Sequence, residues 1–136
     1  GLQVHRSLGR YLYHGVLALA KNDRNQVACV GNSSSGIKET PIFGCPTVNI
    51  GSRQEGRLRG QNVIDVDYDA NNIVAVVKKC FYDDEFRGRS SATNNPYYLG
   101  DAGKKIANIL ASLPLGEKII RKKMTLRGKT EDGWYQ

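Results

Sequence analysis

The sequence is poor in the residues that build metal, redox and disulfide sites. It has three cysteines, Cys29, Cys45 and Cys80, far apart and odd in number. They show no zinc or thiol-redox spacing, which excludes a cysteine metal site and a disulfide framework. The two histidines, His5 and His14, pair with no cysteine, so neither metal nor cofactor is expected. No apolar run approaches the roughly 20 residues of a membrane helix, so no membrane partner is expected. No signal peptide is expected. With unpaired cysteines, this points to a reducing, cytoplasmic setting. Paired carboxylates and a poised histidine are also missing, so no residue is assigned a catalytic role.

What remains is ordinary in amount. The chain has 136 residues, 40% apolar and 24% charged. That is enough for one domain burying roughly 70% of its surface. A single domain over residues 1–136 is expected, with a disordered polar tail from about residue 130. Because the chain opens on Gly1, it reads as a fragment or a trimmed chain. The net charge is +7. One cluster is Arg53, Arg57 and Arg59, in a glycine-rich loop. The other is Lys118, Arg121, Lys122, Lys123, Arg127 and Lys129. Neither interleaves with stacking aromatics as in a single-strand binder, so no nucleic acid is expected. A solvated basic face, plus one loop that meets phosphate, accounts for the charge.

Short apolar runs alternate with helical periods. Leu2 to His5 reads as the end of a strand and Ser7 to Arg10 as a turn. Tyr11 to Lys21 is apolar at helical spacing, and Asn22 to Asn25 is a polar connection. Val27 to Val30 reads as a buried strand, with Cys29 as a small core residue. A short helix starts near Gly36 and ends around Pro41. Thr47 to Ile50 is the next strand, Gly51 to Gly60 a loop, and Asn62 to Tyr68 the third strand. Ala70 to Phe81 has a helical apolar stripe. Asp83 to Arg89 forms a further helical turn. Asp101 caps a helix through Leu113 that carries Ile106, Ile109 and Leu110 on one face. Glu117 to Met124 forms a last helix. This alternation predicts an α/β, Rossmann-like three-layer domain with a parallel sheet.

The most informative stretch is Gly31-Asn32-Ser33-Ser34-Ser35-Gly36-Ile37-Lys38-Glu39. Small residues leave backbone N–H groups uncovered, and a helix follows, so strand, loop and helix start together suit an anion. A plain helix cap with spare serines is the alternative. Ligands of parallel sheets bind at the carboxyl ends of the strands. That rule sets the Gly31–Gly36 loop beside the Gly51–Gly60 loop, where Arg53 and Arg57 could meet the same phosphate.

Two spaced blocks carry a resemblance. They are Gly31 to Glu39, and Gly44-Cys45-Pro46-Thr47-Val48-Asn49-Ile50-Gly51-Ser52-Arg53-Gln54-Glu55-Gly56-Arg57. Asn62-Val63-Ile64-Asp65-Val66, Asn95-Pro96-Tyr97 and Gly100-Asp101 extend it. From about Val27 to Leu113 the chain resembles the hydrolysing UDP-N-acetylglucosamine 2-epimerases of sialic and related nonulosonic acid synthesis. Residues 1–26 match less well, and Lys21 to Gln26 is a longer connection than usual. The resemblance implies the nucleotide-holding C-terminal half of a glycosyltransferase-B-type enzyme, whose N-terminal half carries the acid and base groups. It implies that Ser33 and Ser34 bind pyrophosphate, Glu39 takes the ribose hydroxyls and Arg53 contacts UDP. Asn32, Ser35, Gly36 and Arg57 complete the expected UDP-binding set, and His5 and Ser7 could line the uracil edge. The implied partners are a UDP-sugar, the N-terminal half and further copies of the enzyme. The alternative is a non-catalytic nucleotide-sugar-binding module with the same fold.

Overall fold

Three short runs rich in β-branched residues pair side by side. In the computed structural model β1 (Cys29–Gly31), β2 (Thr47–Ile50) and β3 (Val63–Val66) form a parallel sheet in the order β1-β2-β3. Cys29 lies opposite Thr47 and Thr47 opposite Val63. The structure describes residues 1–113, together with the backbone of 130–131 and 134–135. The chain divides into two compact units, residues 1–99 and 100–136. The expected helix over 117–124 and the basic cluster from Lys118 to Lys129 lie outside the described residues.

Side chains alternate across a strand, so each sheet face takes every second residue. Val48, Ile50, Ile64 and Val66 share one face. They pack with Ile73, Val76, Val77 and Cys80 of α3 (Ala70–Tyr82) and Phe86 of α4 (Asp84–Ser91). Asp69 and Asp83 start these helices by accepting the Asn72 and Phe86 N–H groups at 2.7 and 2.8 Å. Thr47, Asn49 and Asp65 share the opposite face. There α2 (Ser35–Lys38) and a 3-10 turn at Thr40–Phe43 cover the sheet. Ile37 of α2 is fully buried on this side, and a polar network lies beside it. The Thr40 hydroxyl donates to the Gly36 carbonyl at 2.7 Å and accepts from Thr47 at 2.9 Å and Asn62 at 3.0 Å. Helix α1 (Gly9–Ala18) lies on the same side, touching the α2 segment through Tyr13 and His14.

Several sequence expectations change. Leu2 to His5 forms no strand; no neighbouring strand pairs with it, and Leu2 and Val4 are exposed. Helix α1 begins at Gly9, inside the expected turn. Strand β1 is displaced from 27–30 to 29–31 because pairing with β2 starts at Cys29. It is an edge strand, so Val30 is exposed and Cys29 only half-buried. Only Leu17 of α1 is buried; Leu12 and Val16 face outward, as does Leu19 in the 3-10 turn that follows. Asp101 does precede α5 (Ala102–Ser112), but its side chain makes no cap bond. Ile106, Ile109 and Leu110 form the expected face, yet they are exposed. Within the expected tail, β4 (Thr130–Glu131) pairs antiparallel with β5 (Trp134–Tyr135).

The long connection after α1 is held in place. Arg87 on α4 donates to the Asp23 and Asn25 carbonyls and, at 2.9 Å, to that of Phe81. A planar fork with several N–H donors can satisfy three acceptors at once.

Candidate functional site

All three strands run the same way, so their carboxyl ends and the loops that follow share one edge. Glycines end β1 and β2. Gly31 has φ +147° and Gly51 has φ +72°, backbone that a side chain rarely adopts. A Cβ on Gly51 would also overlap the Tyr68 hydroxyl. The chain can therefore turn sharply at both strand ends.

The two loops meet at Asn32. Its backbone carbonyl accepts from Arg53 Nη1 at 3.1 Å and from Gln54 Nε2 at 2.7 Å. The Gln54 side chain is buried at this junction, while Arg53 stays exposed. Arg53 thus keeps guanidinium donors free beside the loop. Gln54 was not singled out from the sequence. Only its burial between two loops distinguishes it from a surface glutamine.

Within the first loop, Ser33 Oγ accepts the Ser35 N–H at 3.3 Å. The Ser33 and Ser34 carbonyls accept the N–H groups of Gly36 and Ile37. Among the described residues, no hydrogen bond engages the N–H groups of Ser33 or Ser34 themselves. Ser35 faces the other way, its hydroxyl 2.6 Å from that of Tyr13. Burial pushes the Tyr13 hydroxyl and the Cys29 thiol up from their ordinary values, so both stay neutral and neither supplies a charge or a thiolate nucleophile. Gly36 is buried against Thr47. The helix is shorter than the anion argument assumed. At four residues, α2 is a single turn, and few aligned peptides add to a dipole. The loop's anion preference therefore falls to its uncovered N–H groups, its hydroxyls and Arg53.

Glu39 stands where α2 passes into the 3-10 turn. Its Oε2 lies 2.6 Å from His14 Nε2. With Ser7, Leu8, Gly9, Arg10 and Tyr13 it lines a depression of about 470 Å³. Ser7 therefore lines this depression, whereas among the described residues His5 meets only Gln3, at 3.4 Å. Arg57 does not join. Its guanidinium is exposed and unengaged among the described residues; its backbone N–H donates to the Gln54 carbonyl and its carbonyl accepts from Arg59. Arg59 instead pairs with Asp65 at 2.7 Å. These two line a second depression, of about 380 Å³, with Gly51, Ser52, Glu55, Val66, Asp67 and Asn72. No local pattern marks this depression, because its lining comes from three separate segments. Asn95 reaches back to the Lys38 carbonyl at 2.8 Å, ending α2. Among the described residues, no group of three His, Cys, Asp or Glu side chains could hold a metal, and no helix is long and apolar enough to cross a membrane.

Known proteins share much of this sequence. The family model for UDP-N-acetylglucosamine 2-epimerase matches residues 2–111. The chain belongs to the UDP-N-acetylglucosamine 2-epimerase family. The match takes in residues 2–26, which carry none of the motifs noted above. A Campylobacter jejuni GDP/UDP-N,N'-diacetylbacillosamine 2-epimerase (hydrolyzing) is 51% identical over 59 residues, 43% of this chain and 14% of that protein. Polysialic acid biosynthesis protein P7 of Escherichia coli is 42% identical over 73 residues, 54% of this chain and 18% of its own length. A Legionella pneumophila UDP-N,N'-diacetylbacillosamine 2-epimerase (hydrolyzing) is 34% identical over 98 residues, covering 72% of this chain and 25% of that protein. The chain therefore spans a quarter or less of the length of these relatives.

Proposed function

We propose that this chain is the UDP-binding part of a hydrolysing UDP-N-acetylglucosamine 2-epimerase. The observation that supports this most is the junction at Asn32, where Arg53 and Gln54 tie the serine loop to the loop after β2. Two independent phosphate-favouring features thereby share one edge of the sheet. Ser33 and Ser34 offer free N–H groups and hydroxyls to the pyrophosphate. Asn32, Ser35 and Gly36 shape that loop, Arg53 neutralises phosphate charge, and Glu39 accepts the ribose hydroxyls. Arg57 is close enough in sequence to reach the ligand only after its exposed side chain reorients.

The reaction needs UDP as a leaving group. Elimination removes the C2 proton and breaks the C1–O bond to UDP. Water then adds across the double bond to give the free 2-epimer, N-acetylmannosamine or an analogue. Donors aimed at the departing diphosphate stabilise the charge it gains. The proton-transfer groups belong to the N-terminal part of the enzyme, and the complete protein is a cytoplasmic homo-oligomer. The chain alone binds UDP without turnover.

Calorimetric titration with UDP tests this reading. Arg53→Ala removes a charge-assisted contact worth roughly 1.5–3 kcal/mol, so affinity should fall by at least about tenfold. Equal affinity for both proteins would remove Arg53 from the site.

A further inference from the structure

We propose that His14 is a positioning residue for Glu39, holding its carboxylate ready for a vicinal diol. The inference rests on the reading of Glu39 as the ribose acceptor and adds the device that orients it. His14 Nε2 approaches Glu39 Oε2 at 2.6 Å. Their side chains are 28% and 41% exposed, and a pair this wet contributes little to folding. The contact is nonetheless well defined. The His14 ring packs against Phe43, with centroids 5.2 Å apart and planes tilted by 49°, so the imidazole is fixed from the side. Glu39 sits at the break between α2 and the 3-10 turn, where no regular helix face restrains its side chain.

The chemistry favours positioning. A free glutamate has several rotamers to lose when it takes up a ligand. Fixing Oε2 with a histidine removes that cost in advance. The other oxygen, Oε1, has no protein donor among the described residues, and Glu39 lines the depression beside Gly9 and Arg10. The adjacent residue of α1 acts in the same way, since Tyr13 holds the Ser35 hydroxyl at 2.6 Å. Two successive side chains of α1 thus anchor both ends of α2. This gives the helix before β1 a role in the site although it carries no recognisable motif.

The experiment compares UDP with 2′,3′-dideoxy-UDP on the full 136-residue chain, by calorimetry. The parent should prefer UDP by about tenfold, as expected for a charged hydrogen-bond acceptor. His14→Phe should weaken UDP about fivefold and leave the dideoxy analogue unchanged, collapsing the preference. His14→Gln, which keeps an N–H donor, should restore most of it. In a Glu39→Gln background, His14→Phe should have no further effect. Should His14→Phe fail to fold, His14→Asn, whose amide is too short to reach Oε2, supplies the same comparison. A parent chain that binds both nucleotides equally, or neither, overturns the ribose role of Glu39 and this proposal together. A parent preference that survives His14→Phe overturns the role of His14 alone. So does an equal loss for both nucleotides, which would make His14 merely structural.

Discussion

The two faces of the sheet differ in how much of their buried surface is polar. Toward α3 and α4, Val48, Val66, Cys80 and Phe86 form a dry apolar cluster. Toward α2, Ile37 and Pro41 are buried together with the polar Thr40, Thr47, Asn49, Gln54 and Asn62. The first face gains from removing apolar area from water. The second gains much less, since each hydrogen bond replaces one made with water. It even leaves Asn49 Oδ1, Gln54 Oε1 and Asn62 Oδ1 buried without a protein partner among the described residues. What the polar face provides is direction. Thr40 reaches the Gly36 carbonyl and Gln54 the Asn32 carbonyl. Both acceptors belong to the loop expected to hold phosphate. One face stabilises the sheet; the other aims its loops.

The sharpest way to break this contrast is Phe86→Ala. Phe86 is 2% exposed, and truncation of a buried phenylalanine costs about 3–4 kcal/mol. Urea denaturation should show that loss, while the protein that remains folded binds UDP as before. A change in UDP affinity comparable to the Arg53→Ala effect would mean that the apolar face also shapes the site. Asn62→Ala should be milder in stability, about 2 kcal/mol, because it removes two buried hydrogen bonds, from the Asn62 amide to Thr40 Oγ1 and to the Cys45 carbonyl. Unlike Phe86→Ala, it should also weaken UDP binding, since Thr40 would hold Gly36 less firmly. Unaltered affinity would count against a positioning role for the polar face.

The last prediction concerns two buried thiols, Cys45 and Cys80. Burial raises Cys45 from 9.0 to about 12 and Cys80 from 9.0 to about 11. Both contribute their full stability below pH 9. As pH climbs past 9, the unfolded chain ionises while the folded chain stays protonated, so stability falls toward pH 11–12. A lower urea midpoint at pH 10.5 than at pH 8 is expected, with a shallower fall in Cys45→Ala. At pH 8 iodoacetamide should reach the half-buried Cys29 first. Faster labelling of Cys80 would show that the apolar face opens more readily than the polar one.

Much of the fold was legible in the chain. Thr47 to Ile50 and Ala70 to Phe81 appear almost as the pattern implied, because each has a strong period and clear flanking residues. The candidate site is proposed from local chemistry in the serine loop and the arginines after β2, and from the family resemblance for Glu39. What escaped was long-range. Gln54 looks like any surface glutamine until another loop covers it. His14 looks like a lone histidine on a helix until Glu39, 25 residues on, is brought to 2.6 Å. Asp101 has the identity and spacing of a cap yet makes no cap bond, whereas Asp69 and Asp83 do.

Local sequence alone therefore determined the alternation of strand and helix, the two glycine turns and the residue types of an anion-binding loop. These follow from backbone sterics and hydrophobic period, which act within a few residues. Tertiary structure decided which candidates work together. It paired Arg53 and Gln54 with Asn32, gave Arg59 to Asp65 and left Arg57 to solvent. It also reduced the expected helix dipole to a single turn. Those outcomes depend on parallel pairing between segments about 20 residues apart, and no local pattern encodes the distance between two loops.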